Sequence, residues 1–200
     1  MRTIGITGPT GCGKTTFLQE ISARGGEIVD CDVLYYELLK TDRELRTALQ
    51  AAFGEIFLPD GSLDRPKLAA CVFSDAEKLA QLNEIVFFHV GRSVAERRRQ
   101  AQENGKPIFA VDAINLIESG MARDCCVTVG ILAPREVRLA RIMARDHLTR
   151  QAAQARIDAQ KQDDFYRRHC QYILTNDTTL EAFREASRRC LDEISKEEIP

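Results

Sequence analysis

No run in the 200-residue sequence approaches the roughly 20 apolar residues needed to cross a bilayer, so no membrane-spanning helix is expected. The N-terminus lacks the charged segment and apolar stretch of a signal peptide, which points to a cytoplasmic protein. Neither sign of charge dominates. The 28 Lys and Arg stand against 30 Asp and Glu, a net charge of −2, which gives no reason to expect a nucleic-acid or anionic-membrane partner. Internal repeats, low-complexity tracts and long linkers are missing too, and this length suits one compact domain with a real core. No C-x-x-C pair occurs among the seven cysteines, and His89, His147 and His169 show no metal spacing, so no zinc site is expected. These histidines read as surface or core residues. Nothing in the sequence speaks to oligomeric state.

What is present begins at residue 8. Gly8-Pro9-Thr10-Gly11-Cys12-Gly13-Lys14-Thr15 is a full match to the phosphate-binding pattern G-x-x-x-x-G-K-[ST]. A strand-like run, Thr3-Ile4-Gly5-Ile6-Thr7, precedes it and a helix-like run, Thr16 to Ile21, follows. In that setting glycines let successive N–H groups point at one phosphate chain, and the helix adds its positive end. Gly11, Cys12, Gly13, Lys14, Thr15 and Thr16 are therefore expected to hold the phosphates of a nucleoside triphosphate. Lys14 supplies a cation for the β- and γ-phosphates, and the Thr15 hydroxyl suits a magnesium ion. The cysteines read mostly as buried small apolar residues. At Cys12, beside the helix start, a thiol's pKa tends to fall, although a space-filling loop residue is the simpler reading.

Strand-like runs at 2–7, 26–30, 107–112, 125–132 and 171–175 alternate with helical patterns, the signature of a doubly wound parallel α/β sheet that binds ligands at the carboxyl ends of its strands. Residues 33–104 are mainly helical and too long for a simple crossover, which implies a helical subdomain. It carries a turn at Pro59-Asp60-Gly61, a helix start near Asp64-Arg65-Pro66 and a solvated helix end at Arg97-Arg98-Arg99. A last helix is expected over about 179–196.

A phosphate loop alone does not name a reaction. Asp30 and Asp32 close the second strand, beside the loop in such a sheet. Asp30 reads as a helix N-cap, and Asp32 as the carboxylate that orients or deprotonates an attacking hydroxyl. Arg138, Arg141 and Arg145 share one face of a helical run, where three guanidinium groups repel unless something anionic meets them. Across 135–168 nine Lys and Arg face five Asp and Glu, which fits a lid over phosphates. Arg141, then Arg145, are the candidates for stabilising charge on a transferring phosphoryl group. Asp112 closes the third strand, where a carboxylate helps hold magnesium, although one Asp at a strand end is ordinary; Glu118 is read the same way.

Together these residues resemble the dephospho-CoA kinase family across nearly the whole chain. The resemblance rests on Ile6-Thr7-Gly8 and the loop, on Asp30-Cys31-Asp32, and on Phe53-Gly54 followed by Asp60-Gly61-Ser62-Leu63-Asp64-Arg65-Pro66-Lys67-Leu68. It continues through Leu82-Asn83, Leu116-Ile117-Glu118, Ala133-Pro134-Arg135-Glu136, Arg141, Arg145-Asp146, Arg156-Ile157, Gln160 and Tyr172 to Asn176. The implied fold is a P-loop kinase-type, doubly wound five-stranded parallel sheet in a single domain over 1–200. Its core would be 1–32, 105–133 and 170–200, with a helical substrate-binding subdomain at 33–104 and an arginine-rich lid at 134–169.

The implied reaction moves the γ-phosphoryl of Mg²⁺-bound ATP to the ribose 3′-hydroxyl of dephospho-CoA, with Lys14, Asp32, Arg141 and Arg145 catalytic and Asp32 also touching the acceptor. The chain departs from the family at Pro9-Thr10 (usually Gly and Ile), Phe87-Phe88 (His-Pro), Ile114-Asn115 (Pro-Leu) and Cys170-Gln171 (Ala-Asp). The same motifs also suit another small-molecule or nucleoside monophosphate kinase of this fold, or an ATP-binding regulatory protein without transfer activity.

Overall fold

The computed structural model describes residues 1–196, so the last four residues of the expected core, 197–200, lie outside the described residues. By packing, the chain divides into two units: Met1–Val29 with Gln100 onward, and Asp30–Arg99.

The first unit is built on a five-stranded sheet of β1 (Arg2–Thr7), β2 (Glu27–Asp30), β3 (Ile108–Asp112), β4 (Val127–Leu132) and β5 (Tyr172–Thr175), in the order β2-β3-β1-β4-β5. β1 runs parallel to β3 on one side, with Ile6 opposite Asp112, and parallel to β4 on the other, with Thr7 opposite Gly130. β1 and β4 are buried along nearly their whole length, as strands covered on both faces of a sheet are, with Thr3, Thr7 and Thr128 enclosed beside the isoleucines and valines. The chain leaves β1 between strands that it reaches later in opposite directions, which opens a crevice at the carboxyl end of β1. Helices α1 (Lys14–Ala23) and α9 (Leu180–Lys196) share a core with the sheet, Phe17 and Ile21 meeting Phe183, Leu191 and Ile194 over Ile4, Ile6 and Val129.

Within the expected lid, α6 (Arg135–Asp146) and α7 (Arg150–Asp158) bury Leu139, Ile142, Ala153 and Ile157 against one another. α8 (Asp163–His169) leads into β5. β4 begins at Val127, not at 125. The pair Cys125-Cys126 is apolar enough to read as strand, yet Cys126 is exposed and precedes the ladder. Only Cys12, Cys31 and Cys190 are buried, so the cysteines are less uniformly interior than their apolar character suggests.

The second unit is helical: α2 (Cys31–Thr41), α3 (Arg43–Phe53), α4 (Arg65–Val72) and most of α5 (Ala76–Glu103). An aspartate starts each of them. Asp30 Oδ1 accepts from the N–H groups of Asp32 and Val33 at 2.9 and 3.0 Å, and Asp42 Oδ1 from those of Glu44 and Leu45 at 2.9 and 3.0 Å. Asp64 and Asp75 do the same for α4 and α5. Each cap satisfies donors that no preceding turn can reach. Leu39, Leu45, Leu49, Ile56, Leu68 and Val72 form this unit's core.

Arg97-Arg98-Arg99 is not a helix end, because α5 continues to Glu103. It lies in the last two turns, where Arg97 pairs with Glu37 and Arg99 with Glu96.

Asp42 also receives His89, which is buried, through Nδ1 at 2.8 Å, and Arg92 at 3.2 Å. Burial alone would raise the Asp42 carboxyl. The N–H groups of Leu45 and Glu44 and the His89 ring outweigh it and hold the group below the ordinary value. A depressed carboxylate stabilises the fold above its unfolded pKa, about 3.9, and loses that contribution as pH falls through the folded value. Asp42→Asn should therefore lower the melting temperature at pH 7 and flatten its decline between pH 5 and pH 2. Thermal melts across that range check this, and an unchanged acid slope would contradict it.

Candidate functional site

The site is laid out by the turn that joins β1 to α1. Its backbone runs so close to β4 that a Cβ on Gly8 would lie 2.1 Å from the Ile131 carbonyl oxygen, and Gly8 adopts φ 145°. At Gly13, φ 103°, a Cβ would meet Asn176 Nδ2 at 2.2 Å. Only glycine fits either position.

Several side chains take the loop's carbonyl oxygens. Asn176, buried just past β5, donates from Nδ2 to the Cys12 carbonyl at 2.9 Å, while its own N–H donates to the Leu132 carbonyl at 2.7 Å. Arg141 Nη1 donates to the Gly11 and Cys12 carbonyls at 3.2 and 3.3 Å, and its Nη2 donates to Asn176 Oδ1 at 3.2 Å. Arg138, only 5% exposed, donates from Nε to the Thr10 carbonyl at 3.0 Å and from Nη2 to Gln160 Oε1 at 3.0 Å. Burial pulls its guanidinium below the ordinary value, yet arginine remains charged. Gln160 completes the set, accepting from the Thr10 N–H at 3.0 Å and donating to Thr10 Oγ1 at 2.8 Å.

With the carbonyls held, the N–H groups of Gly13, Lys14 and Thr15 stand at a helix start, where no preceding turn supplies acceptors and the dipole favours an anion. Two other loop N–H groups make tight-turn bonds, Cys12 to the Pro9 carbonyl at 3.2 Å and Thr16 to the Gly13 carbonyl at 3.1 Å, which a phosphate would have to share. Lys14 Nζ lies 3.4 Å from the Gly8 carbonyl and 3.8 Å from Asp112 Oδ1, both side chains mostly buried. A cation and a carboxylate thus meet at the carboxyl ends of adjacent strands. The Thr15 hydroxyl and the Asp112 carboxylate are hard oxygen donors, the chemistry Mg²⁺ selects. Glu118 is exposed in the segment after β3.

Arg145 forms a two-pronged pair with Asp146 at 2.7 and 3.0 Å, and Arg156 joins the same carboxylate, so Arg145 faces Asp146 rather than a loop atom. Asp32 lies exposed in the first turn of α2. Asp30 caps that helix, so the Asp32 carboxylate does not fill the capping role. Cys12 is the space-filling residue of the simpler reading, not a low-pKa thiol. It is 1% exposed under the loop, and desolvation raises its thiol against the opposing pull of Lys14.

A family model for dephospho-CoA kinase matches residues 2–182. The chain belongs to the dephospho-CoA kinase family. It is 31% identical over 195 residues to the dephospho-CoA kinase of Corynebacterium glutamicum, covering 97% of this chain and all of that protein. A solved structure from Thermus thermophilus superposes with a TM-score of 0.80 at 32% identity, covering 96% of this chain and 97% of the other. A dephospho-CoA kinase from Campylobacter jejuni gives a TM-score of 0.68 at 25% identity, with 98% of each chain covered. The five-stranded α/β fold is thus that of a P-loop kinase, and no helix among the described residues is long and apolar enough to cross a membrane.

In this family member the local motif led directly to Lys14 and Thr15. It gave no account of Asn176 and Gln160, whose hydrogen bonds to the loop cross 164 and 150 residues of sequence. Their sequence signal is the family resemblance, which includes Gln160 in the lid segment and Asn176 after the last strand. The thiol environments make a direct test. Alkylation at pH 8, read by peptide mass, should label exposed Cys126 well before Cys12; equal rates would contradict the burial of Cys12.

Proposed function

We infer that this chain transfers the γ-phosphoryl group of ATP to the ribose 3′-hydroxyl of dephospho-CoA, giving CoA and ADP. The family match over residues 2–182 carries the reading. The loop geometry supports it: N–H groups at the start of α1, a lysine at its first position and arginine-held carbonyls make a cradle for a polyphosphate.

In the mechanism we propose, the N–H groups from Gly11 to Thr16 receive the β- and γ-phosphates, and Lys14 counters their charge. Asp32 aligns the 3′-hydroxyl and accepts its proton. The hydroxyl oxygen then bonds to the γ-phosphorus, and the bond from that phosphorus to the β-bridging oxygen breaks, its electrons leaving on ADP. Arg141, already on the loop carbonyls, has five N–H donors and can extend one to the transferring group. Arg145 would join after leaving Asp146. Bound with ATP, Mg²⁺ would be held by Thr15 and Asp112 and would neutralise charge on the phosphate oxygens. The second unit, which carries Asp32, would hold the acceptor. Tyr36 supports this role, sitting one turn beyond Asp32 with the Arg65 guanidinium 4.4 Å over its ring.

Purified protein given Mg-ATP should form ADP only when dephospho-CoA is present, with CoA identified by mass. ADP formation without acceptor dependence would overturn the substrate assignment. Lys14→Ala should lower kcat by at least ~100-fold, the loss typical of deleting one transition-state donor. Near-normal turnover would remove Lys14 from the site. Asp32→Asn should keep ATP affinity while losing transfer; unchanged turnover would leave Asp32 outside the chemistry.

A further inference from the structure

Thr10 has three polar groups on its backbone and side chain, and each is bound by a side chain from far along the sequence. Its N–H donates to Gln160 Oε1 at 3.0 Å, its hydroxyl receives Gln160 Nε2 at 2.8 Å, and its carbonyl receives Arg138 Nε at 3.0 Å. Arg138 Nη2 also donates to Gln160 Oε1 at 3.0 Å. The network has one sense only. Two donors, a backbone N–H and a guanidinium, converge on the same amide atom of Gln160, so that atom is the oxygen and the NH₂ must face the Thr10 hydroxyl. Arg138 is buried, which makes each of its bonds costly to lose.

Two consequences follow for the phosphate loop. The first is a selection of donors. Pro9 has no N–H, and the N–H of Thr10 is held by Gln160, so the N–H groups left to a polyphosphate begin at Gly11. The second concerns the shape of the loop without nucleotide. A loop rich in glycine gives up much conformational freedom when it closes on an anion, and that loss subtracts from affinity. Fastening Thr10 by three groups fixes the first half of the loop before any ligand arrives.

We propose that Gln160, acting with Arg138 through Thr10, is a positioning residue for ATP that holds the phosphate loop in its anion-binding shape in advance. The proposal rests on the reading of the loop as an ATP site, and it is independent of the acceptor.

The test is calorimetric binding of Mg-ATP, with no acceptor present, to wild type, Thr10→Val, Gln160→Ala and the double variant, each accompanied by a thermal melt. Gln160→Ala removes both Gln160 contacts to Thr10 and should weaken ATP about tenfold. Thr10→Val removes only the hydroxyl contact and should weaken it about threefold. The double variant should be no weaker than Gln160→Ala by more than about twofold, because the hydroxyl has already lost its partner. A purely structural role would lower the melting temperature and leave this non-additivity in ATP affinity absent. Should Gln160→Ala fail to fold, Thr10→Val still decides, since it deletes a single hydroxyl: ATP affinity equal to wild type there would overturn the proposal. So would Gln160→Ala binding as tightly as wild type, or losses that multiply in the double variant. A wild type that binds ATP but makes no CoA would overturn the acceptor assignment and leave this test intact.

Discussion

The phosphate site depends on one close approach of backbone to backbone. Where the chain leaves β1, the Gly8 Cα passes so near the Ile131 carbonyl of β4 that a methyl group would lie 2.1 Å from its oxygen. That contact fixes the direction in which the loop leaves the sheet. From there the carbonyls of Thr10, Gly11 and Cys12 turn toward Arg138, Arg141 and Asn176. A peptide group whose oxygen is taken on one side presents its neighbour's N–H on the other, so holding the carbonyls is a way of aiming the donors. The carboxyl end of β1, the loop and the helix dipole then act on the same point.

The three arginines on α6 show how position along one helix sets what a charge can do. They are three and four residues apart, yet Arg138 is buried on Thr10, Arg141 is half-buried on the next two carbonyls and Asn176, and Arg145 is exposed on Asp146. Their mutual repulsion is met first by protein oxygens, not by a bound anion. Two of them are therefore part of the loop's support, which a substrate joins rather than creates. Arg145 has a carboxylate partner that a phosphate would have to replace.

Much of this was legible locally. β1, β3 and β5 fall within one residue of the runs expected from their apolar and β-branched content. The helix start at Asp64-Arg65-Pro66 was readable because a cap is a property of four adjacent residues. Two readings failed where the tertiary environment decided. Cys125-Cys126 looked like strand but lies before it. Arg97-Arg98-Arg99 looked like a helix end but is braced by Glu37 and Glu96. Cys12, read as a space-filling loop residue, is buried, and that burial raises its thiol although it sits beside a helix start. In the site, Lys14 and Thr15 belong to a contiguous motif, whereas the Gln160 contact to Thr10 exists only once the chain has folded back across 150 residues.

The central claim is that one loop holds the donor while Asp32 receives the acceptor. A crystal structure with a non-hydrolysable ATP analogue, Mg²⁺ and dephospho-CoA tests it most directly. The account predicts the β- and γ-phosphates on the N–H groups from Gly11 to Thr16 with Lys14 beside them, and the ribose 3′-hydroxyl within hydrogen-bonding distance of the Asp32 carboxylate. A triphosphate bound away from the loop, or an acceptor hydroxyl aligned by a different residue, would contradict it.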